Sequence, residues 1–400
     1  MTLVALCSCD PTLNGIHRPD TGGGSPSSSG NREPAGVSDD GKAHIYFTAV
    51  SFPESYEWRR DTAYGAVAGA ILLYMDGEPI LTLPAGSSGG ISCDPDMHHL
   101  AGGHIYTEFS DASHTMIGCD GKELFRYDGR ELLKGLIIDG KDVLTLGQNR
   151  SGSGFSLRRN GKVLLQKPEG EIVGGFSDRS SPETGALSIE GGRICFCYHD
   201  GKGWHFVEDG SETLLTVKGE KIGTCYDMKV FGDTRCAVVS LGSTRGPILV
   251  AGDKTVSFAG SLIGAPSNDY RLHHEDGRIL VTGMYYTYNR DLEITGFWDE
   301  DGKLHRIDGD CRYFTAKGSG YDFVVKDHGH VVSVSRSGKS TAISGSWAMM
   351  TPHCLCWHGK ETLLALTPAS GASGYPVLWH DGEMTEVRIN GFLTAAGVGY

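Results

Sequence analysis

The chain has little positive charge for its size, and it lacks a long apolar run. Lys and Arg total 36 against 49 Asp and Glu, which gives a formal net charge of −13. Affinity for a phosphate backbone comes from Lys and Arg, so this balance argues against a general nucleic-acid binder. Beyond residue 9, no uncharged apolar run approaches the roughly 18–20 residues that are needed to span a bilayer.

Glycine, in contrast, is abundant. The chain has 58 glycines among its 400 residues, which is about twice the usual share of roughly 7%. They follow no three-residue period, which excludes collagen. Hydrophobic residues make up 39% of the chain, which excludes a wholly disordered protein. No sustained 3.6-residue apolar period occurs, so long helices are not expected. The composition therefore favours an all-β protein.

The first nine residues contain a candidate lipidation signal. The run Leu6-Cys7-Ser8-Cys9 resembles a bacterial lipobox, in which Cys9 becomes the lipidated N-terminus. The apolar stretch before Cys9 is too short for a complete signal, so either the natural start lies upstream or the match is accidental. Residues 10–43 are rich in Ser, Gly and Pro, which predicts a disordered tether. An expressed fragment with an unstructured N-terminus is the alternative.

A two-residue turn signal recurs along the rest of the chain at intervals of 36 to 49 residues. Asp-Gly and Asn-Gly supply the two positive φ values of a type I′ hairpin, whose twist matches its flanking strands. Gly-Asp and Ser-Gly stand at two of the positions. The eight dipeptides are Asp76-Gly77, Asp120-Gly121, Asn160-Gly161, Asp209-Gly210, Gly252-Asp253, Asp301-Gly302, Ser337-Gly338 and Asp381-Gly382.

Strand-like runs surround each dipeptide. A run such as His44–Val50 comes first, the dipeptide joins a second run to a third, and a stretch such as Gly135–Ile138 comes fourth. Tandem units of four antiparallel strands predict the blades of a β-propeller. We expect a single all-β domain over 44–400 with eight four-stranded blades, or seven if 311–345 is one irregular blade. The N-terminal strand is expected to complete the last blade, because 392–400 is short for a fourth strand.

The order of lipobox, tether and tandem blades resembles the propeller-type surface lipoproteins of Bacteroidales. In such blades an aromatic residue precedes the turn, as in Tyr74-Met75-Asp76-Gly77 and Trp379-His380-Asp381-Gly382. The resemblance extends over nearly the whole chain. It implies a lipid-anchored location at a bacterial outer membrane, on the cell surface or in the periplasm, rather than an activity.

Signatures of catalysis and of metal binding are missing. No His-Glu-x-x-His or Walker-type loop occurs, no Gly-x-Ser-x-Gly elbow has a strand–turn–helix setting, and there is no sialidase-type Ser-x-Asp-x-Gly-x-x-Trp box. The stretch 94–99 is rich in carboxylates and imidazoles, but its histidines alternate between sheet faces. The cysteines after Cys9 lack the spacing of a disulfide framework and are expected to be buried apolar residues. We therefore predict no catalytic residue, no metal and no cofactor.

The loops at the two ends of the predicted blades differ. The loops that follow the first and third strands share one end of the propeller, and several are long and rich in Tyr, Trp and Arg, which are enriched at binding surfaces. Aromatic rings stack on sugar faces, and Arg forks hold acidic groups. Alternatively, these rings pack on the propeller and the arginines pair with local acids. The candidate ligand-binding residues are Tyr56, Trp58, Arg59, Arg60, Arg150, Arg245, Tyr286, Tyr288 and Arg290.

The sequence therefore predicts a non-enzymatic lipoprotein of the cell envelope whose propeller binds a carbohydrate or a glycoprotein. One alternative is a structural or scaffold subunit of an envelope protein complex. A second alternative is a glycan-active propeller enzyme. Nucleic acid is not expected as a partner, and membrane contact is expected through the lipid at Cys9 alone.

Overall fold

The computed structural model describes residues 43–399 apart from several internal segments. The predictions for Cys9 and for the tether over 10–42 therefore lie outside the described residues. Among the residues that are described, no helix has the length and the apolar character needed to cross a bilayer. The segments left out are 59–68, 86–97, 102–103, 111–112, 176–184, 218, 243–246, 259–264, 276, 287–291, 294–295, 307–309, 318–319, 328–329, 337, 351 and 359–360.

The described strands form antiparallel sheets with four strand positions each, which we number 1 to 8 along the chain. Sheets 1 to 4 contain β1 (His44–Ser51), β2 (Gly69–Met75) and β3 (Glu78–Ala85); β4 (His98–Ala101), β5 (His104–Ser110), β6 (His114–Cys119) and β7 (Lys122–Asp128); β8 (Glu131–Asp139), β9 (Asp142–Asn149), β10 (Phe155–Arg159) and β11 (Lys162–Lys167); and β12 (Glu171–Ile172), β13 (Ser188–Glu190), β14 (Arg193–Asp200), β15 (Gly203–Glu208) and β16 (Ser211–Leu214).

The second half of the chain repeats this arrangement, and its last strand returns to sheet 1. A short 3₁₀ helix, Pro352–Cys354, precedes sheet 8. Sheets 5 to 8 contain β17 (Ile222–Phe231), β18 (Thr234–Leu241), β19 (Ile248–Ala251) and β20 (Lys254–Ser257); β21 (Ala265–Glu275), β22 (Arg278–Tyr286), β23 (Leu292–Glu293), β24 (Gly296–Trp298) and β25 (Leu304–Arg306); β26 (Asp310–Lys317), β27 (Gly320–Asp327), β28 (His330–Arg336) and β29 (Lys339–Ala348); and β30 (Leu355–His358), β31 (Glu361–Pro368), β32 (Val377–His380) and β33 (Glu383–Glu386), followed by β34 (Gly391–Gly399).

Two sheets have a divided strand position, and two sheets are joined. In sheet 4 both β12 and β13 pair with β14, and in sheet 6 both β23 and β24 pair with β22. Pairing of Trp347 with Pro368 and of Ala348 with Thr367 joins sheets 7 and 8 into one eight-stranded sheet. The prediction of an all-β propeller is confirmed, whereas the number of blades stays a prediction.

Each sheet begins one strand earlier along the chain than the sequence predicts. The stretch 135–138 lies in β8, which pairs with β9 and is the first strand of sheet 3. The repeated dipeptides consequently join third strands to fourth strands. The ring also closes differently from the prediction, because the C-terminal strand β34 completes sheet 1 by pairing with β1. A strand pairs with whichever edge tertiary packing brings beside it, and the local sequence pattern does not specify that edge.

Burial increases from the fourth strand of a sheet to the second. In β9 six successive residues are buried, whereas all four residues of β33 are exposed. A second strand is covered on both faces by neighbouring sheets, so its sequence is almost continuously apolar. The apolar clusters lie between consecutive sheets, and one of them joins sheets 7, 8 and 1. First strands of neighbouring sheets, such as β34 and β4, contact each other.

Hydrogen bonds fasten the two-residue turns to the second strands. The backbone N–H of Asp76 donates to the carbonyl of Ile45 (2.8 Å), and Oδ1 of Asp76 accepts from the N–H of Ile45 (2.9 Å). We call this pair of bonds the turn clasp. It requires a short side-chain acceptor at a residue with φ near +50°, a region that Asp and Asn tolerate. The clasp recurs at Asp120, Asn160, Asp209 and Asp381.

Candidate binding site at the long-loop end

The two ends of the sheets are built differently. Strands alternate in direction, so turns that join first to second and third to fourth strands lie at one end, which we call the hairpin end. Within each sheet these turns are two residues long, except for the five-residue connection 299–303. The opposite end, the long-loop end, has connections such as 52–68, 86–97, 258–264 and 369–376. The predicted asymmetry between the ends is therefore present in the structure.

A short connection ties the long loops of sheets 8 and 1 together. Residues 387–390 lead from β33 to β34. The N–H of Val387 donates to the carbonyl of Pro376 (2.8 Å), at the end of the sheet 8 loop. The side-chain amide of Asn390 donates to the carbonyls of Pro53 (2.6 Å) and Tyr56 (3.0 Å), in the sheet 1 loop. Four residues span at most about 14 Å, so the two loops lie close to each other.

Two exposed side chains lie at this connection: one in the sheet 8 loop that it contacts and one within the connection itself. Tyr375 is 46% exposed, and the side chain of Arg388 is 79% exposed with its Nε 3.6 Å from a carboxylate oxygen of Glu386. The neighbours Val387 and Ile389 are buried, so the backbone that presents Arg388 is held by apolar packing. We call Tyr56, Tyr375 and Arg388 together the Tyr56–Tyr375 site.

Exposure distinguishes Tyr375 from the other large apolar side chains of the described residues. Six of these side chains are at least 38% exposed, and five of the six lie on fourth strands at the rim of the propeller. Tyr375 alone lies in a loop of the long-loop end. The others are Ile80, Val163, Leu164, Leu214 and Met384.

Two predicted site residues, Trp58 and Tyr56, lie in the described part of the sheet 1 loop, and they differ in burial. Trp58 is 7% exposed, and its ring centroid lies 5.2 Å from that of Phe392. Tyr56 is half-buried, with its ring packed edge-on against Phe52 at 5.1 Å. Trp58 thus belongs to the apolar cluster that supports the loop, as the alternative interpretation of the sequence describes. Tyr56 remains partly open to solvent.

Arg150 pairs with a buried acid. Its Nη2 lies 3.5 Å from Oε1 of Glu108. Glu108 is 1% exposed, and its Oε2 accepts a 2.7 Å hydrogen bond from the N–H of Leu133. Arg150 lies in sheet 3, two sheets beyond sheet 1, so the structure does not bring it to the Tyr56–Tyr375 site. Its contact links sheet 2 to sheet 3.

The remaining predicted site residues lie outside the described residues or close to their limit. Tyr286 is the last residue of β22, and its side chain is not among those described. The connections that contain the others leave the long-loop end of sheets 1, 5 and 6, and sheets 5 and 6 are neighbours. These residues are Arg59, Arg60, Arg245, Tyr288 and Arg290.

Sequence reasoning missed Tyr375 and Arg388. Tyr375 is a single aromatic residue that follows the Gly- and Ser-rich stretch 369–374, and Arg388 follows a fourth strand whose sequence has no distinguishing feature. A Tyr-Pro pair within a long loop was the one available signal, because Pro restricts the backbone that presents the ring. That the two residues adjoin the sheet 1 loop depends on pairing between the chain ends.

The environment of the buried cysteines Cys119 and Cys195 disfavours a thiolate. Cys119, Cys195 and Cys236 are buried and free of disulfides, as predicted. Burial raises the pKa of the Cys119 thiol to about 12 and that of Cys195 to about 11. A nucleophilic cysteine needs a lowered pKa, so these two thiols lack the character of a nucleophile.

Comparisons with known proteins identify solved structures of similar fold. No protein family and no curated protein matches the chain. The solved structure of the dihydro-heme d1 dehydrogenase NirN is similar over 88% of this chain and 74% of that chain, with 13% identity and a TM-score of 0.49. The β-propeller domain of the Trilobed protease from Pyrococcus furiosus covers 73% of this chain and 95% of its own, with 12% identity and a TM-score of 0.36.

A third similar structure is a protein from Bacteroides fragilis that is described as exported. The likeness covers 59% of this chain and 80% of that chain, with 10% identity and a TM-score of 0.30. At these identities a likeness concerns the fold and not the activity. The propeller architecture itself is established by the sheets described above.

Proposed function

We propose that this chain is a non-enzymatic binding module of a bacterial cell envelope and that it binds a carbohydrate, free or on a glycoprotein, at the long-loop end. The observation on which this rests is the exposure of Tyr375 and Arg388 in two segments that the hydrogen bond from Val387 to Pro376 joins. Tyrosine and arginine are residue types that concentrate binding energy when they stand exposed on a rigid support.

The chemistry of the Tyr56–Tyr375 site suits a hydroxyl-rich ligand. A ring offers a flat apolar face for a sugar, and the Arg388 guanidinium offers donors to hydroxyl or acidic groups. Acceptors stand nearby, because Glu386 neighbours Arg388 and the exposed Glu54 lies in the sheet 1 loop. A mixture of donors and acceptors favours a sugar over a purely anionic ligand.

Attachment to the membrane is the second part of the proposal. The lipobox-like run ending at Cys9 and the polar stretch 10–43 support a lipid anchor followed by a tether, which would hold the propeller at the outer membrane. The strands that precede Arg59, Arg60, Arg245, Tyr288 and Arg290 end at this same end of the propeller, so these residues remain candidates for the proposed binding surface.

The test begins with an array of immobilised oligosaccharides and the purified chain. Calorimetric titration of the best ligand then compares the wild type with Tyr375→Ala and Arg388→Ala. Loss of a stacking ring should weaken binding by about 1–3 kcal/mol, or roughly ten- to a hundredfold. Met384→Ala, on the exposed β33 of the same sheet, is the matched control and should bind like the wild type. Equal affinity in all four proteins would reject this site.

A scaffold role is the second candidate, and the rim of the propeller favours it. Val163 and Leu164 are each 51% exposed on the edge strand β11, and Leu214 is 45% exposed on the edge strand of the neighbouring sheet. Exposed apolar residues at a sheet edge can dock a protein partner. Cross-linking in envelope extracts should then capture the same partner with wild type and Tyr375→Ala, and lose it with Leu164→Lys.

A further inference from the structure

Sheets 1 and 2 share an extended form of the turn clasp. In sheet 2, Nδ1 of His104 lies 2.5 Å from Oδ2 of Asp120, while Oδ1 of Asp120 accepts from the N–H of Ile105. In sheet 1, His44 and Asp76 make the same contact at 2.6 Å. Both histidines begin the tripeptide His-Ile-Tyr. A His–Asp pair at this position is therefore part of the repeat and is not by itself a sign of a ligand.

The two clasps differ in the residue before the aspartate. Cys119 stands opposite Tyr106 in sheet 2, and Met75 stands opposite Tyr46 at the same register position in sheet 1. The Cys119 side chain has hydrogen-bonding interactions with the Asp120 carboxylate and with the Tyr106 hydroxyl. The substitution of a thiol for a thioether thus places a third ligand beside the His–Asp pair of sheet 2.

Three metal-ligand atoms are gathered at this point. One ligand atom each from His104, Cys119 and Asp120 lies within 4.8 Å of the other two, and within the described part of the chain no other trio of His, Cys, Asp or Glu does so. The side chains of His104 and Asp120 are 16% and 17% exposed, while Cys119 is buried. The site is therefore fixed on its inner side and open to solvent on its outer side.

We propose that His104, Cys119 and Asp120 bind one divalent transition-metal ion of the zinc class at the hairpin end of sheet 2. Imidazole nitrogen, thiolate sulfur and carboxylate oxygen are the ligands that zinc takes in proteins. Three protein ligands leave the fourth tetrahedral position for water at the exposed side.

Metal binding requires a larger separation between His104 and Asp120 and the loss of the Cys119 thiol proton. With metal–ligand bonds of about 2.0–2.2 Å in a tetrahedron, the His104 nitrogen and the Asp120 oxygen move apart to roughly 3.4 Å. The Cys119 thiol transfers its proton to solvent as the sulfur–metal bond forms, so one proton is released for each ion bound. A cation between the Cys119 sulfur and the Asp120 carboxylate offsets the repulsion between their negative charges.

Cobalt(II) is the probe, because its absorption reports thiolate ligation directly. The full chain is used with Cys7→Ser and Cys9→Ser, which removes the two N-terminal thiols. One equivalent of cobalt should produce a thiolate-to-cobalt charge-transfer band together with tetrahedral visible bands, and zinc should displace both. Absence of the charge-transfer band at excess cobalt would overturn the proposal.

Two variants and a control locate the site. Cys119→Met reproduces the Met75 arrangement of sheet 1 and should abolish the band, while Cys236→Ser, at another buried cysteine, should leave it intact. Asp120→Asn keeps the clasp, as Asn160 does in sheet 3, and should weaken cobalt binding by about a hundredfold. Circular dichroism confirms that each variant is folded. An unchanged band in Cys119→Met or unchanged affinity in Asp120→Asn would reject these ligands.

Discussion

Arg158 on β10 and Glu131 on β8 form a buried, bidentate ion pair within sheet 3, across the intervening strand β9. The two guanidinium nitrogens of Arg158 lie 2.6 and 2.7 Å from the two carboxylate oxygens of Glu131, and neither side chain is more than 6% exposed. The guanidinium also lies over the Tyr127 ring, 4.0 Å from its centroid. A Cβ at position 147 would overlap the Glu131 carboxylate, so Gly147 allows this close approach.

Removal of Arg158 should therefore be strongly destabilising. Arg158→Ala leaves the Glu131 carboxylate buried without its counter-charge, which should reduce the free energy of unfolding by about 3–5 kcal/mol. The control is Arg126→Ala, which breaks the exposed pair with Glu123 and should change stability by about 0–1 kcal/mol. Urea denaturation measures both. Similar losses in the two variants would mean that solvent reaches the Arg158 pair.

The turn clasps predict opposite outcomes for two substitutions at one position. Asp381 has φ of +48° and its Oδ1 accepts from the N–H of Thr362 at 2.9 Å. Asp381→Asn should be nearly neutral, because Asn160 makes the same clasp in sheet 3. Asp381→Ala loses the acceptor at a left-handed backbone position and should cost about 1–3 kcal/mol. Equal thermal stability of the two variants would contradict the clasp.

Replacement of Gly382, the next residue, by valine tests whether the turn requires a positive φ at this position. Gly382 has φ of +105°, which a β-branched residue resists, so Gly382→Val should destabilise the chain by about 1–3 kcal/mol. The same substitution at Gly24, in the proposed tether, should leave the melting temperature unchanged. A comparable loss at both glycines would indicate that the turn has no special requirement.

Buried histidines should make stability depend on pH. His99 and His353 are buried with their ring centroids 5.4 Å apart, and His98 adjoins them on β4. Burial lowers the pKa of His353 to about 4 and that of His99 well below its usual range, in His99 also through the neighbouring imidazoles. The unfolded chain takes up protons near pH 6.5 and the folded chain does not, so stability falls as pH drops from about 6.5 to about 4.

This loss can be assigned with a matched pair of variants. Urea denaturation of the wild type at pH 7 and pH 5 gives the total change. His353→Gln should reduce that change by up to about 2 kcal/mol, because the unfolded chain takes up this proton over only about 1.5 pH units between pH 6.5 and pH 5. The half-exposed His114 is the control, and His114→Gln should leave the change as it is. An undiminished pH dependence in His353→Gln would show that His353 is protonated in the folded chain.

Substitution of Trp58 should affect stability, whereas substitution of Tyr375 should affect ligand binding. Trp58 packs on Phe392 within the apolar cluster of sheet 1, so Trp58→Ala should lower the free energy of unfolding by about 3–5 kcal/mol. Tyr375→Ala removes an exposed ring and should change it by no more than about 0.5 kcal/mol. If Trp58→Ala folds with normal stability and loses ligand affinity, the tryptophan itself would be the stacking residue.

The sequence predicts the repeated unit well because that information is local. An Asp-Gly or Asn-Gly dipeptide is favoured at positive φ by its own two residues, and apolar runs on either side specify the strands. The two-residue turns and the strands beside them are therefore where predicted, although each strand stands one position later in its sheet than predicted. The burial of Cys119, Cys195 and Cys236 follows from the same apolar runs.

The candidate site was only partly predictable. Tyr56 was selected for its residue type and is half-exposed, whereas Trp58 was selected for the same reason and is buried. Residue type cannot distinguish the two, because a tryptophan is as well suited to a core as to a ligand. Tyr375 and Arg388 have no local signal beyond a loop and a strand end.

What the sequence by itself determined is the architecture of a blade, through turn chemistry and strand periodicity that act over a few residues. The tertiary structure alone decided which strand closes the ring and which loops share a surface. Asn390 holds the loop at Pro53 across 337 positions of sequence, and β34 pairs with β1. Such contacts form because closing the ring buries the faces of the first and last sheets, and no stretch of local sequence encodes that meeting.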